Sequence, residues 1–408
     1  MTKAVKPVCG ACASASKNLK VLVIGGDHEN TLASVRALGL DGIAFDLMIH
    51  GGLLGRRAVV AASKYAPEPL YCEGTYDAVR GAIEAWMGES DPSGCALLPS
   101  SDLAALVVDE RFRPLGAKVS GFAGDRWHIC DLMDKLTQAQ WAEARGIPVA
   151  KGAEIDSTAL GTKSPVEFPV IVKPAVSAEG RKSDIRICHD GGEYAEAVGL
   201  FADAGYKRAL VQELVDYEYE ITCVGAIRLD GTSVWRAYAK EIVYPEGRGS
   251  IACGHLETDP SVLKVIDGVL QTMAREGYRG LCDIEFFRTS DRVILNEINF
   301  RQSGIAAFTF CEGLFLPSLW ARELLGHPKA VAPDYPSEPY RVVYESGYFR
   351  YTRETGEGVR EWLRALGERG GKNLLFEKDN GPFRTFVRNT LANKARRLAG
   401  KLRRTERP

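Results

Sequence analysis

No apolar run in the 408-residue sequence is long enough to cross a bilayer, which takes about 20 apolar residues in succession. Neither sign of charge is in excess. The 52 Lys and Arg residues face 53 Asp and Glu, a net of −1 at pH 7, so composition gives no reason to expect a nucleic-acid partner. The opening MTKAVKPVCGACASASKN has Lys residues but no apolar stretch behind them, and residues 1–18 read as a flexible leader rather than a secretory signal. The ten cysteines follow no disulfide-framework spacing; Cys130, Cys188, Cys223 and Cys282 fall in strand-like and helical stretches, as reduced thiols of a cytoplasmic protein would. Cys9 and Cys12 form a lone CxxC, too little for a zinc or redox site. Gly25-Gly26-Asp27 stands where a dinucleotide-binding turn would need G-x-G-x-x-G, which argues against NAD, and no G-x-x-x-x-G-K-[ST] phosphate loop occurs. The six histidines form no cluster in the sequence, and no Ser-His-Asp set stands out.

What the sequence does have is concentrated in residues 281–304, LCDIEFFRTSDRVILNEINFRQSG. Two runs, 281–288 and 292–299, flank the polar turn Thr289-Ser290-Asp291, the pattern of a β-hairpin. Strand side chains alternate, so Asp283 and Glu285 share a face of the first run. Glu297 and Asn299 share a face of the second, and Arg301 follows in register. Ile294, Leu295, Ile298 and Phe300 between them are expected to be buried. Carboxylates and an amide held on such a hairpin are costly without compensation. A hard divalent cation with phosphate oxygens supplies it. A solvated acidic edge would explain one carboxylate alone; Glu285, Glu297, Asn299 and Arg301 together point to a metal–phosphate site.

Earlier in the chain, strand-like runs at 20–26, 43–49, 58–62 and 95–98 alternate with helical stretches at 29–38 (closed by Gly39), 76–87 and 102–112. That alternation means βαβ units and an open parallel sheet. Ligands of such sheets sit at the carboxyl ends of the strands, where the Gly25-Gly26-Asp27 turn can help bind a small substrate. A helix read over 126–146 contains Lys135. The strand at 168–174 delivers Lys173 to its end, where a phosphate or a structural carboxylate can accept it. The small, partly basic loop 175–183 can fold over phosphates and donate N–H groups. Gln212-Glu213 interrupts the strand at 209–215; main-chain groups at such a break can bind a planar base, and Glu220 can accept ribose hydroxyls, although strand-edge acids also occur without a ligand. A strand at 234–242 carries Lys240, and the glycine-rich stretch 244–254 is a candidate substrate loop.

From about Arg126 to Gly326 this ordered set resembles the ATP-grasp superfamily, and the region before it resembles the α/β domain that usually precedes it. Asp134-Lys135 before GIPVA, Val172-Lys173-Pro174, the small-residue loop, Gln212-Glu213-Leu214, Glu220, Glu285, and Asn296-Glu297-Ile298-Asn299 with Arg301 stand in the family's order. The resemblance implies an α/β class, α+β in the ATP-grasp part. An N-terminal open parallel α/β sheet domain would span 19–125, a two-lobed ATP-grasp fold 126–330, and a C-terminal extension 331–408. It implies ATP with Mg²⁺ or Mn²⁺. Lys135 and Lys173, with Ser177 and Gly180 of the loop, would contact ATP phosphates. Glu213, Leu214 and Val215 would hold adenine, and Glu220 the ribose. Glu285 and Glu297 would bridge Mg²⁺ with Asn299 completing the coordination, and Asp283 is a rival for the Glu285 role. Arg301 would meet the acceptor carboxylate or its acyl phosphate, and Lys240 joins it as a catalytic residue. The loop tip, Glu179-Gly180-Arg181-Lys182, departs from the glycine-rich form common in the family.

The activity implied is ATP-dependent joining of a carboxylate, an amino acid or peptide, to an amine through an acyl phosphate, with release of ADP and phosphate. The branch of D-aspartate ligases and dipeptide-forming enzymes is the most similar, partly through Lys240 and the 244–254 loop. One alternative is a bicarbonate-activating carboxylase or a carbamoyl-phosphate-synthase-like enzyme, although no Met-Lys-Met biotin-carrier motif is present. Another is nucleotide binding without catalysis, which the intact acidic set opposes. At the end of the chain, Phe383, Val387, Leu391, Leu398 and Leu402 fall near a helical period among Arg388, Lys394, Arg396, Arg397, Lys401, Arg403 and Arg404. Such a helix can lie on an anionic membrane or pack on its own protein. The expected partners are a small carboxylate and an amine, with peripheral membrane contact through this helix and a homodimer as further expectations, and no nucleic acid.

Overall fold

In the computed structural model, which describes residues 19–52, 57–124, 126–156, 163–175, 184–245, 250–328 and 333–405, the first apolar runs form a four-stranded sheet. Its strands β1 (Lys20–Gly26), β2 (Asp46–His50), β3 (Leu70–Cys72) and β4 (Cys95–Pro99) lie in the order β3-β2-β1-β4, all parallel. Six of the seven residues of β1 are buried, as a parallel strand covered on both faces requires. Helices α1 (Glu29–Leu40), α2 (Tyr76–Met87) and α3 (Asp102–Val107) supply the cover, and the Thr75 and Ser101 hydroxyls cap α2 and α3 by accepting from Ala78 and Ala104. Two expectations are corrected. The 58–62 run is not a strand: Val60–Ala62 is a single 3-10 turn whose Val60 amide donates to Asp27 Oδ1 at 2.9 Å. Helix α1 passes through Gly39 to Leu40, and Gly42, at φ +68°, lies in the turn that follows.

After β5 (Gly121–Phe122), the helix expected over 126–146 is two, α4 (Ile129–Leu132) and α5 (Lys135–Glu143). Asp134 breaks it by turning its carboxylate onto the Thr137 amide at 2.8 Å, so Lys135 opens α5. A small antiparallel sheet follows, built of β6 (Gly152–Asp156), β7 (Val170–Pro174), β8 (Arg186–Cys188) and β9 (Arg208–Glu213) in the order β6-β9-β7-β8, with α6 (Gly191–Asp203) packed on it. The third sheet has eight strands. Seven of them, β10 (Tyr219–Ile227), β11 (Ser233–Tyr244), β12 (Ser250–Leu256), β13 (Tyr278–Arg288), β14 (Val293–Asn299), β15 (Arg341–Val343) and β16 (Gly370–Lys372), run in the order β14-β13-β10-β11-β12-β15-β16, and β5 pairs with β13.

The two faces of this large sheet serve different purposes. Ile221, Cys223, Ile284 and Phe286 form a core with Ile266 and Leu270 of α7 (Pro260–Arg275). On the other face Val224, Tyr238 and Leu281 join a core with Val23 and Leu32 of the first domain and Trp320 of α8 (Leu316–Leu324). The C-terminal part adds α9 (Glu345–Glu354), α10 (Gly358–Gly367) and α11 (Gly381–Thr405). Among the described residues no single helix is long and apolar enough to cross a membrane, and the eight described cysteines are free. Cys9 and Cys12 lie outside the described residues.

Candidate active site

Strand register assembles the site. Across β13 and β14, Asp283 pairs with Asn299 and Glu285 with Glu297; across β10 and β13, Thr222 pairs with Glu285; across β10 and β11, Glu220 pairs with Lys240. Paired residues share a face, so Glu220, Thr222, Lys240, Asp283, Glu285, Glu297 and Asn299 all stand on one side of the large sheet. Further along, the same side is the apolar one that packs on the first domain. The register shifts directly after the Glu285–Glu297 pair, an irregularity of the kind that re-aims side chains beside active sites.

Two carboxylates facing each other across a ladder repel, and lysines from three elements offset this. Lys240 Nζ lies 3.4 Å from Glu285 and 2.8 Å from Glu220, whose other oxygen accepts from Tyr217 at 3.1 Å. Burial opposes the charge on Lys240, but Glu285 and Glu220 outweigh it and raise its pKa. Lys135, at the start of α5, reaches Glu297 at 3.6 Å. Lys173, at the end of β7, is 8% exposed; burial, then the nearby Lys135 charge, bring its pKa down to about 7 against the pull of Glu297 and Glu285. A lysine in that state gains by meeting an anion.

Asp283 is placed differently from Glu285. Its carboxylate accepts from Thr222 at 3.0 Å and pairs with Arg301 at 3.4 Å, and its side chain is 6% exposed, against 21% for Glu285 and 22% for Glu297. Burial raises the Asp283 pKa and Arg301 works against that rise. Arg301 also donates to Asp102 of the first domain at 2.9 Å. Burial disfavours its charge, yet Asp102 and Asp283 more than compensate and hold it firmly protonated. Behind it lies His28, held neutral by burial with a pKa near 4; Glu29 pulls that value up, while Arg301 and His50 push it down. His50 Nε2 is 2.7 Å from Ser101 Oγ. The carboxyl ends of β1, β2 and β4 thus meet the end of β14.

Among the described residues no group of three or more His, Cys, Asp or Glu converges as a protein-built metal cage would. Two carboxylates beside an amide suit another kind of ion. Mg²⁺ is commonly held by one or two carboxylates together with substrate phosphates, and the donor set Glu285, Glu297 and Asn299 fits an ion that arrives with a nucleotide.

Other sequence-predicted residues are spread around this centre. Glu213 ends β9, and its Oε1 accepts from the Lys151 amide at 3.0 Å. The Leu214 amide donates to the Pro169 carbonyl at 3.0 Å, and Val215 follows it. Ser177 and Gly180 lie outside the described residues. His28, His50, Thr222 and Asp102 were not anticipated. The rule that ligands sit at the carboxyl ends of parallel strands would have pointed to His28, His50 and Asp102. Gln138 was missed too. It ties α5 to β14, donating to the Ile298 carbonyl at 2.9 Å while accepting from the Ile298 amide at 2.7 Å.

Residues 140–312 match the family model described as "ATP-grasp domain". The chain carries an ATP-grasp domain. Its fold is similar to an N5-carboxyaminoimidazole ribonucleotide synthetase solved as an ADP complex, with a TM-score of 0.60 and 16% identity over 87% of this chain and 90% of that one. It is also similar to an L-amino acid ligase from Bacillus licheniformis, with a TM-score of 0.56 and 14% identity over 76% and 74%. At these identities the likeness is one of fold. A formate-dependent phosphoribosylglycinamide formyltransferase of Pasteurella multocida (strain Pm70) is 25% identical over 341 residues, 76% of this chain and 77% of that protein. The comparisons support an enzyme of the ATP-grasp ligase type. Its ATP-grasp segment includes every residue of the sheet face described above, and Lys135 stands just ahead of it.

Proposed function

We propose that this enzyme is an ATP-dependent carboxylate–amine ligase working through an acyl phosphate. The observation that carries this reading is a single sheet face on which Glu285 and Glu297 meet Lys135 and Lys240, with Arg301 at its edge toward the first domain. A carboxylate is a poor electrophile. Transfer of the ATP γ-phosphoryl group to it makes an acyl phosphate, and attack by an amine then expels phosphate, so ADP and phosphate leave. Such transfer rests on positioning and charge stabilisation rather than on a protein nucleophile, which is what lysines, paired carboxylates and an arginine provide.

In this reading Lys135 and Lys173 hold the phosphates, and Glu220 the ribose. The main chain at 213–215 holds the base through groups other than the Glu213 and Leu214 amides, which are already engaged. Glu285 and Glu297 with Asn299 hold Mg²⁺ or Mn²⁺, whose charge would neutralise the phosphates. Lys240, 4% exposed, acts by fixing Glu220 and Glu285 rather than by touching substrate. Asp283 orients Arg301 instead of binding metal, and Arg301 meets the acid to be activated.

Two acids are in view. The L-amino acid ligase fold supports an amino acid or peptide. The Pasteurella relative, formate-dependent by name, supports a one-carbon acid, and the close flanking of Arg301 by Asp102 and Asp283 favours a small one. The test is purified protein with Mg-ATP, hydroxylamine as trapping amine, and a panel of amino acids, formate and bicarbonate. ADP together with a hydroxamate identifies the activated acid. Production of AMP and pyrophosphate would exclude the acyl-phosphate route, and nucleotide binding without turnover on the whole panel would favour a non-catalytic protein.

A further inference from the structure

We propose that α11 docks this enzyme on an anionic membrane surface. The helix is 25 residues long, about 37 Å at 1.5 Å per residue, and its first turns pack within the fold. Phe383 stacks on Trp362 with ring centroids 5.9 Å apart, Phe386 meets Phe349 at 6.4 Å, and Asn389 Nδ2 donates to the Arg57 carbonyl at 2.9 Å. Beyond them the pattern changes. Leu391 is 63% exposed, and Ala392, Asn393 and Arg396 are exposed as well. Phe383, Val387, Leu391 and Ala392, flanked by Arg384 and Arg388, form an apolar strip along the surface of the helix.

Charge selects the occupant. Residues 381–408 contain nine Lys or Arg and one Glu, a net of +8, while the whole chain stands at −1, which leaves −9 on residues 1–380. An anionic surface therefore attracts the helix and repels the body, so the chain meets it helix first. Apolar positions recurring at Phe383, Val387, Leu391, Leu398 and Leu402 among those cations are the composition of a helix that lies in a lipid interface. A nucleic acid would answer the charge but leave Leu391 in water. A second copy of α11 would cover Leu391 but bring two strongly cationic helices together.

The test is co-sedimentation of the full chain with phosphatidylcholine vesicles, with and without phosphatidylglycerol. Binding is expected only to the anionic vesicles, and is expected to fall as salt screens it. Arg388→Glu with Arg396→Glu should weaken binding at least about 25-fold, at about five-fold per lost cation. Leu391→Ser, which leaves the charge unchanged, should weaken it as well. Equal binding to both vesicle types, or none to either, overturns the proposal. So does tight binding to a homopolymer RNA that Leu391→Ser leaves intact, and so does a dimer in sedimentation velocity that Leu391→Ser dissociates. These side chains are exposed, so the variants should melt as the unaltered protein does; if one melts lower, the lipid and salt dependence of the unaltered chain decides.

Discussion

Glu297 faces Glu285 across the ladder and lies 3.6 Å from Lys135. Exchange for glutamine keeps its shape and removes its charge. Glu297→Gln is expected to lower turnover by roughly 10²–10³, the usual cost of losing one electrostatic contact at a transferring group. Its melting temperature should stay near that of the parent; full activity in this variant would remove Glu297 from the proposed metal and phosphate site. Lys173 makes a second prediction through its proton. With a folded pKa of about 7 against an ordinary 10.5, it is neutral above pH 7 in the free protein while the unfolded chain still holds the proton. Stability from this group therefore rises with pH between those two values. Phosphates should restore the charge, so Mg-ATP binding at pH 8 is expected to take up close to one proton. Calorimetry in buffers of different ionisation enthalpy measures this, and an uptake that persists in Lys173→Met would assign the proton elsewhere. Glu285, Glu297 and Asn299 were legible in the sequence because strand alternation fixes their face. His28 and Asp102 were not, because the arginine beside them lies far along the chain, 199 residues beyond Asp102, and no local pattern spans that distance.

The β13–β14 hairpin and most strands around it could be read from alternation and turn residues, since both act over a few positions. Several elements could not, among them β12, whose Ser250–Leu256 lies partly in the glycine-rich stretch expected as a loop. Residues 58–62 are short and apolar, and a short buried run carries no period to tell a strand from a turn. The break at Asp134 was missed because a mid-helix aspartate looks the same in sequence as one that caps a new helix. That break matters, because it makes Lys135 the first residue of α5, and α5 is held against β14 by Gln138. This side chain donates to the carbonyls of Leu132 and Ile298 and accepts from the Ile298 amide. It also satisfies an edge strand that would otherwise offer open backbone groups there. Gln138→Leu fills similar space and leaves buried backbone groups unpaired, at a cost of about 1–3 kcal/mol. Urea unfolding should register that loss. Nucleotide affinity should fall with it, because Lys135 rides on the same helix; unchanged affinity would show that Lys135 is positioned by other contacts.

At the scale of the whole molecule, the residues after 330, irregular as sequence, close the structure. Strands β15 and β16 extend the large sheet, and Leu374 enters the core shared with the first domain. The clasp is Arg36 on α1, 1% exposed. Its guanidinium pairs with Asp379 at 2.9 Å and donates to the carbonyls of Asn373 at 2.6 Å and of Leu374 and Asp379 at 2.8 Å. Asp379 in turn accepts from the Ser63 hydroxyl and the Lys64 amide. Burial lowers the Arg36 pKa and Asp379 opposes that shift, so the pair stands only as a unit. Removing one partner leaves a buried charge uncompensated, which typically costs 3–5 kcal/mol, whereas removing both costs less. Arg36→Met is therefore expected to lower unfolding stability by about that amount, with hydrogen exchange quickening first across residues 370–380. Adding Asp379→Asn to Arg36→Met should recover part of the loss, since the orphaned carboxylate is gone, the amide oxygen still accepts from Lys64, and the Ser63 hydroxyl can turn to accept from the amide NH2. If the double variant is as unstable as Arg36→Met alone, the clasp works through the three carbonyls and not through the ion pair.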